Sequence, residues 1–198
     1  MYIKDSIEVK GSPAIFLDRD GTINEDPGYL THPSELRLLP GVGEALRLLQ
    51  EQGFRLVIVS NQSGVARGFL TESMLEEIQR SLDTLLKGEG VTLSGTYYCP
   101  HHPEGAPPYR QACECRKPKG GLVERAAREH GLDLNRSYVV GDQHIDVELA
   151  REMGMPAILV LTGKGRLSLA SGEIEPDYIA PDLTAAARWI LQRHSTVG

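Results

Sequence analysis

The sequence predicts an α/β fold in which a doubly wound parallel sheet lies between two layers of helices. Short apolar runs rich in β-branched residues recur along the chain, as expected of central strands that are buried on both faces. Helical patterns of apolar residues lie between these runs. Strands that alternate with helices favour a parallel sheet with right-handed crossovers. The 198 residues suit one domain, which we predict over residues 1–198.

The strands are predicted from the apolar runs, and each is bounded by polar or turn-forming residues. Four runs predict central strands, a shorter run predicts a fifth strand, and the last predicts an edge strand. In chain order, these runs are 13–17, 55–60, 96–98, 137–141, 157–161 and 178–179.

Five helices are predicted between and after these strands. The first has an apolar stripe over 42–49 and is followed by Gly53, near its C-cap. The second begins after Thr71, which suits an N-cap, and extends through Leu86. The remaining helices are predicted at 122–129, 146–153 and about 182–193.

The composition disfavours several classes of function. The net charge of −6 and the pI of about 5.5 argue against general nucleic-acid binding, which uses basic faces. No apolar run approaches the ~18 residues of a membrane span. Residues 1–12 lack the apolar core of a signal peptide. We therefore expect a cytoplasmic protein without nucleic-acid or membrane partners, and we expect a monomer.

Two carboxylates follow the first predicted strand. Asp18 and Asp20 are two residues apart, so an extended backbone would direct both side chains to the same face. The carboxyl ends of parallel strands are where α/β folds bind ligands. Carboxylates this close repel each other unless a cation neutralises them, which implies a divalent metal ion. On its own, Asp-x-Asp also fits a solvated turn at the end of a strand.

Three further polar groups follow in the chain. Ser60 ends the second predicted strand, Lys117 precedes a helix, and Asp142 ends a later strand with Asp146 four residues on. Each group alone is typical of a turn or a helix start. Because three of the four groups lie at strand ends, their succession favours a single site at one edge of the sheet.

This series resembles the four motifs of the haloacid dehalogenase-like (HAD) phosphohydrolase superfamily, and the match covers about residues 13–163. The resemblance implies a three-layer, Rossmann-like fold. It also implies a catalytic Mg²⁺ ion held by Asp18, the main-chain carbonyl of Asp20, and Asp142. Magnesium prefers such oxygen ligands and keeps several waters.

The same resemblance implies a catalytic role for each motif. Asp18 would be the nucleophile that becomes an aspartyl phosphate, which divides one difficult displacement into two easier ones. Asp20 would protonate the leaving oxygen and later deprotonate the attacking water. Ser60 and Lys117 would hold the phosphoryl oxygens. Asp146 would orient Lys117 or support the metal ligands.

The three cysteines of the chain lie within 17 residues. Together with one histidine they form a C-x-H…C-x-C pattern, typical of a closed, tetrahedral structural zinc site. The proposed Zn²⁺ ligands are Cys99, His101, Cys113 and Cys115, with His102 as the alternative histidine. Zinc would make the loop of about 99–116, which we call the zinc loop, rigid directly before Lys117.

No segment long enough for a cap domain separates the first three motifs. The chain therefore resembles the capless branch of the superfamily, which contains heptose bisphosphate phosphatases and histidinol-phosphate phosphatases. Residues 61–68, 97–103 and 115–118 are most similar to the heptose enzymes.

The resemblance to the heptose enzymes also implies a set of substrate contacts. We call residues 26–29 the first substrate loop. Arg116 has a guanidinium that could bind the second phosphate of a sugar bisphosphate. Gln143 stands where the heptose enzymes commonly have lysine, which leaves the preferred anomer open. The implied substrate-binding residues are Asp26, Pro27, Gly28, Tyr29, Asn61, Gln62, Ser63, Arg116 and Gln143.

From these motifs we expect magnesium-dependent hydrolysis of the 7-phosphate of D-glycero-D-manno-heptose 1,7-bisphosphate. Two alternatives stay open. Histidinol phosphate is the alternative substrate, although Arg116 beside Lys117 suits its cationic amine less well. The alternative of another class is a catalytically silent module whose zinc loop binds a partner, but such a module has no need of both Asp18 and Asp20.

Overall fold

A computed structural model describes residues 11–195 of the chain. Its six parallel strands lie in the order β3-β2-β1-β4-β5-β6. They are β1 (Ala14–Leu17), β2 (Arg55–Asn61), β3 (Gly95–Cys99), β4 (Tyr138–Gly141), β5 (Ala157–Val160) and β6 (Tyr178–Ala180). The doubly wound α/β fold predicted from the sequence is confirmed. The strand order reverses between β1 and β4, which is the position where such sheets bind ligands.

The helices follow the predicted pattern with small shifts at their ends. Thr71 caps α2 as predicted, because its side chain accepts a hydrogen bond from the N–H of Met74. The helices are α1 (Val42–Glu51), α2 (Glu72–Gly88), α3 (Gly121–His130), α4 (His144–Glu152), α5 (Gly165–Ala170) and α6 (Leu183–Ser195). Two short 3-10 helices span Pro33–Glu35 and Leu134–Arg136.

One helix was not predicted from the sequence, and the helix predicted at 122–129 begins at Gly121. Helix α5 has six residues, which is too short for an apolar period to be recognised. Pro118, which suits a helix start, lies three residues before α3 begins. A turn closed by the N–H of Lys119 on the carbonyl of Arg116 occupies this interval.

The sheet separates two apolar layers, and β1 contributes to both. Ile15 and Leu17 pack in the layer formed with α1, α2 and α6. Ala14 and Phe16 face the opposite layer, formed with α3 and α4. Every residue of β1 is fully buried between the two layers. This packing holds the carboxyl end of β1 in a fixed position.

No helix in the described residues 11–195 is both long and apolar enough to cross a membrane. Residues 1–10, which make up most of the segment examined for a signal peptide, lie outside the described residues. The single domain over 1–198 therefore stays a prediction.

Candidate active site

The carboxyl ends of β1 and β2, together with Gln143 shortly after β4, line a polar cavity. Asp18 follows β1, Ser60 lies near the end of β2, and Asp142 lies directly after β4. Lys117 enters from the zinc loop. The predicted site residues that line the cavity are Asp18, Asp20, Asp26, Gly28, Tyr29, Ser60, Asn61, Gln62, Ser63, Arg116, Lys117 and Gln143.

Lys117 forms the central cation of the site. It is buried, and its Nζ donates hydrogen bonds to Oδ1 of Asp18 at 2.6 Å and Oδ1 of Asp146 at 2.7 Å. Burial alone would lower the pKa of an ammonium group. The carboxylates of Asp146 and Asp18 outweigh burial and raise the pKa of Lys117. Lys117 is therefore a fixed positive charge beside the predicted nucleophile.

Asn61 positions Lys117 through the backbone. Its Nδ2 donates to the carbonyl of Lys117, and its Oδ1 accepts from the N–H of Lys117, both at 3.0 Å. This pair of bonds joins the end of β2 to the zinc loop. The sequence analysis predicted Asn61 as a substrate contact, which stays a prediction, whereas the geometry gives its amide a second use.

Three buried carboxylates converge beneath the cavity. Oxygen atoms of Asp18, Asp142 and Asp146 all lie within 4.8 Å of one another. Burial raises the pKa of Asp142 to about 8, with the Asp18 carboxylate adding to the effect. Burial also raises the pKa of Asp18 to about 6, despite the opposing charge of Lys117. One ammonium group does not neutralise three ionised carboxylates, so the ionised site has an excess of negative charge.

The carboxylate group fits a divalent cation. Oδ1 of Asp142 is buried and has no hydrogen-bond partner among residues 11–195. A buried, unpaired carboxylate oxygen is costly, and a metal ion would satisfy it. An all-oxygen ligand set with room for phosphate suits Mg²⁺. These residues therefore fit the metal that the sequence predicts.

Glycines on two loops make room for Asp142. A Cβ atom on Gly21 or on Gly163 would meet the Asp142 carboxylate, and Gly21 also has a φ of +86°. The N–H of Lys164 donates to Oδ2 of Asp142 at 2.7 Å. The loops after β1 and β5 thus enclose this carboxylate from two sides and leave its Oδ1 free to bind a ligand.

Asp20 lies outside this carboxylate group and has different partners. Its two oxygens accept hydrogen bonds from Arg19, Asn24 and Gln62 at 2.7–3.0 Å. Burial would raise its pKa, but the Arg19 guanidinium and these hydrogen bonds outweigh burial and lower the pKa of Asp20. Asp20 is therefore held ionised, which prepares it to accept a proton.

Gln62 connects Asp20 to the phosphoryl-binding side of the cavity. Its Nε2 lies 2.9 Å from Oδ2 of Asp20 and 2.9 Å from Oγ of Ser60. Its Oε1 accepts a hydrogen bond from Arg19 at 3.1 Å. The buried Gln62 side chain therefore orients the predicted acid–base residue and the predicted phosphoryl-binding hydroxyl together.

The first substrate loop forms the opposite wall of the cavity. Asp26, Gly28 and Tyr29 line it, whereas Pro27 is exposed and does not line the described cavity. The ring of Tyr29 packs against Phe69 with 4.5 Å between centroids. Phe69 was not predicted as part of the site. In the sequence it is simply an apolar residue in the glycine-containing loop before Thr71.

Lys164 also lines the cavity and was missed by sequence reasoning. It follows β5 in the stretch Thr162-Gly163-Lys164-Gly165. Its position after β5 could have indicated Lys164 as a site residue, because β5 ends at the same edge of the sheet as β1 and β4. Its Nζ forms an ion pair with Oδ2 of Asp26 at 2.7 Å.

The four predicted zinc ligands converge beside the cavity. The Sγ atoms of Cys99, Cys113 and Cys115 are 3.2–3.5 Å apart, and Nδ1 of His101 lies 3.4 Å from the Cys115 sulfur. A tetrahedral zinc ion with Zn–S distances of about 2.3 Å separates its sulfur ligands by roughly 3.8 Å. Burial raises the pKa of the Cys99 thiol, and a bound cation would favour its thiolate. This donor set fits zinc.

His101 and His102 have different surroundings. His102 is outside the group, and its ring nitrogens contact Arg67 and the N–H of Glu104. His101 also has a second connection to the site, because its carbonyl accepts a hydrogen bond from Arg116 at 3.0 Å. The zinc loop thereby holds the predicted substrate-binding guanidinium as well as Lys117.

Known proteins resemble this chain over most of its length. A family model described as "HAD-hyrolase-like" matches residues 114–186. The D-glycero-beta-D-manno-heptose-1,7-bisphosphate 7-phosphatase of Haemophilus ducreyi is 43% identical over 175 residues, which cover 87% of this chain and 95% of that protein. The protein of the same name from Escherichia coli K12 is 42% identical over 184 residues, covering 92% of this chain and 90% of that protein.

A solved structure with high similarity is that of D,D-heptose 1.7-bisphosphate phosphatase from B. bronchiseptica, complexed with magnesium and phosphate. It superposes with a TM-score of 0.82 at 34% sequence identity. The match covers 91% of this chain and 99% of that structure.

Proposed function

Because the chain belongs to the D-glycero-beta-D-manno-heptose-1,7-bisphosphate 7-phosphatase family of HAD-like hydrolases, we propose that it is a magnesium-dependent phosphatase that removes the 7-phosphate of this sugar bisphosphate. The observation that carries the proposal is the convergence of Asp18, Lys117 and Asp142 at the point where the strand order reverses. A binding module would not require a buried, unsatisfied carboxylate beside a buried ammonium group.

Asp18 and Asp20 divide the chemistry between them. One Asp18 oxygen attacks phosphorus, the bond from phosphorus to the C7 oxygen breaks, and that oxygen takes a proton from Asp20. Water then attacks the aspartyl phosphate and gives a proton to Asp20, which releases phosphate and restores Asp18. The ionised state of Asp20 suits the second step. The substrate's negative charge favours the protonated acid that the first step needs.

Other residues of the chain hold the transferring group. Lys117 and the hydroxyl of Ser60 bind phosphoryl oxygens, and both are fixed by their neighbours before the substrate arrives. Asp18, Asp142 and the main-chain carbonyl of Asp20 would hold Mg²⁺. The metal ion would neutralise negative charge on the phosphoryl oxygens.

The remaining substrate contacts lie at the open mouth of the site. The cavity has a volume of about 170 Å³, below the ~300–1,000 Å³ of pockets that enclose a ligand. A sugar bisphosphate therefore extends out of it, past the first substrate loop and Arg116. We assign the non-reacting phosphate to Arg116, whose guanidinium can form two parallel hydrogen bonds to phosphate. Gln143 lines the same mouth.

The test of this function is phosphate release with Mg²⁺ across a small substrate panel. The panel contains both anomers of the heptose 1,7-bisphosphate, fructose 1,6-bisphosphate and histidinol phosphate. We expect one heptose anomer to be preferred about 100-fold in kcat/KM, which corresponds to ~2.7 kcal/mol of transition-state discrimination. Preference for histidinol phosphate would contradict the proposed substrate while leaving the phosphatase chemistry intact. Absence of metal-dependent release from every substrate would contradict the enzymatic function.

We also propose a structural Zn²⁺ ion bound by Cys99, His101, Cys113 and Cys115. His101→Ala is expected to abolish zinc binding and to lower the melting temperature by at least about 5 °C, as for loss of a metal from a domain of this size. Its KM is expected to rise, because Arg116 loses a fixed anchor. Zinc content by elemental analysis, thermal unfolding and steady-state kinetics are the measurements.

His102→Ala is the matched control for the zinc ligand. It alters the adjacent histidine of the same loop, and it is expected to retain one zinc ion per chain. Zinc retained by His101→Ala and lost by His102→Ala would reverse the assignment. Zinc retained by both variants would contradict a histidine ligand.

Location and assembly belong to the same proposal. We propose a cytoplasmic protein, because three unpaired thiols at a zinc site suit a reducing compartment. We also propose that the protein is a monomer.

A further inference from the structure

Lys164 connects two parts of the active site that are far apart in sequence. Its backbone N–H donates to Oδ2 of Asp142 at 2.7 Å, and its Nζ lies 2.7 Å from Oδ2 of Asp26. The first bond fixes the backbone of Lys164 against a predicted metal ligand. The second bond attaches the first substrate loop to this fixed backbone.

Asp26 organises the backbone of this loop. Its Oδ1 accepts a hydrogen bond from the N–H of Gly28 at 2.8 Å, which closes a small turn. Its Oδ2 is taken by Lys164, so both carboxylate oxygens have partners. The Asp26 side chain is only 7% exposed, whereas that of Lys164 is 49% exposed. The ammonium therefore covers the carboxylate from the solvent side and holds the turn in place.

The rest of the loop has few other attachments. Pro27, Gly28 and Tyr29 are exposed, and the Tyr29 ring packs on Phe69, which is itself exposed. A loop with this much exposed backbone would occupy several conformations unless it is attached. The ion pair attaches it to Lys164, whose backbone N–H binds Asp142.

We propose that Lys164 is a positioning residue that fixes the first substrate loop relative to Asp142 and thereby sets the affinity for the sugar part of the substrate. This inference rests on the proposed function, since it assigns the loop to sugar recognition. The ammonium acts through Asp26 and takes no part in bond breaking. Its effect is therefore expected in KM and only slightly in kcat.

Lys164→Met tests the proposal because it removes the charge and keeps the N–H that binds Asp142. KM for the preferred phosphorylated sugar is expected to rise about fivefold, the upper range for removal of a partly exposed ion pair. Values of kcat are expected to change by less than about twofold. The KM for p-nitrophenyl phosphate, which lacks a sugar, is expected to rise less than the KM for the phosphorylated sugar. Arg166→Met, which removes an exposed cation two residues away, is the matched control.

A double-mutant cycle with Asp26→Asn separates positioning from direct contact with the substrate. Asparagine keeps an oxygen for the Gly28 N–H but loses the charge that binds Lys164. If Lys164 acts through Asp26, adding Lys164→Met to Asp26→Asn has no further effect on KM. Fully additive effects would overturn the proposal and indicate that Lys164 contacts the substrate's phosphate directly. Lys164→Arg keeps the positive charge, so this variant is expected to retain most of the affinity for the phosphorylated sugar.

Hydrogen exchange supplies a readout that does not depend on activity. In Lys164→Met, the amides of Asp26, Gly28, Tyr29 and Leu30 are expected to exchange about fivefold faster, and those of β1 are expected to keep their rates. Unchanged exchange in residues 26–30 would overturn the proposal. If the wild-type protein hydrolyses no phosphorylated sugar, the proposed function fails, but the exchange experiment still tests Lys164.

Discussion

Asp18→Asn is expected to lower kcat for phosphate release by at least about 10⁴-fold, for every substrate that the enzyme accepts. The substitution replaces the proposed nucleophilic oxygen by an amide oxygen, which is a poor nucleophile. It also removes one of the three carboxylates that converge beneath the cavity. The remaining groups can still bind substrate, but they cannot form the aspartyl phosphate. Phosphate release with Mg²⁺, measured at saturating substrate, is the experiment.

The same variant is expected to stay folded. The pKa of Asp18 is raised to about 6, chiefly by burial, above its usual value near 4. A carboxylate with a raised pKa costs stability at pH 7 when no metal is bound, because the fold disfavours its charged form. Asparagine removes that cost, so the melting temperature without Mg²⁺ is expected to be unchanged or higher.

Asp83→Asn is the control for Asp18→Asn. Asp83 lies on α2 and pairs with Lys87, away from the cavity. It is expected to retain wild-type activity. If Asp18→Asn retained more than about 1% of the activity of Asp83→Asn, the assignment of Asp18 as the nucleophile would be wrong.

Lys117→Met is expected to affect both stability and catalysis. Lys117 is the buried partner of Asp18 and Asp146, and its removal leaves these carboxylates without their cation. Breaking such a pair costs about 3–5 kcal/mol of unfolding free energy. Loss of the ammonium from the phosphoryl site is expected to lower kcat by about 10³-fold or more. Denaturant unfolding and steady-state kinetics measure the two effects.

Adding Mg²⁺ distinguishes the contribution of Lys117 to stability from its contribution to catalysis. A divalent cation among the carboxylates is expected to restore part of the stability of Lys117→Met but none of its kcat. Lys119→Met removes an exposed lysine that pairs with Glu114, so it is expected to be close to wild type. A Lys117→Met protein with wild-type stability would show that the buried ion pair contributes little to the fold.

The sequence predicted the sheet well because its central strands are buried on both faces. The strand ends differ from the prediction by at most one residue, and the shorter run at 96–98 lies within β3. Helix α5 could not be predicted, because six residues give no apolar period. The residue types at the strand ends indicated the proposed catalytic groups, since three of four groups share one edge of a parallel sheet.

Contacts between loops could not be predicted in the same way. The ion pair of Asp26 with Lys164 joins residues 138 positions apart, and no periodic pattern connects two loops. The packing of Tyr29 on Phe69 has the same character. The dual hydrogen bonding of Asn61 to the Lys117 backbone also depends on a loop conformation. Sequence patterns thus indicated the proposed reacting groups and Asp146, which binds Lys117, but they did not indicate these contacts between loops.

The central position of β1 has a consequence for the order in which the protein folds. Its Ile15 aligns with Leu56 of β2 on one side and with Tyr138 of β4 on the other. The second pairing closes a much longer loop than the first, so its formation loses more chain entropy. Asp18 can thus be set in place by β2 while Asp142 is still absent. Every fragment that ends before β4 has a nucleophile but lacks two of the three converging carboxylates, so catalysis begins only with the most distant strand pairing.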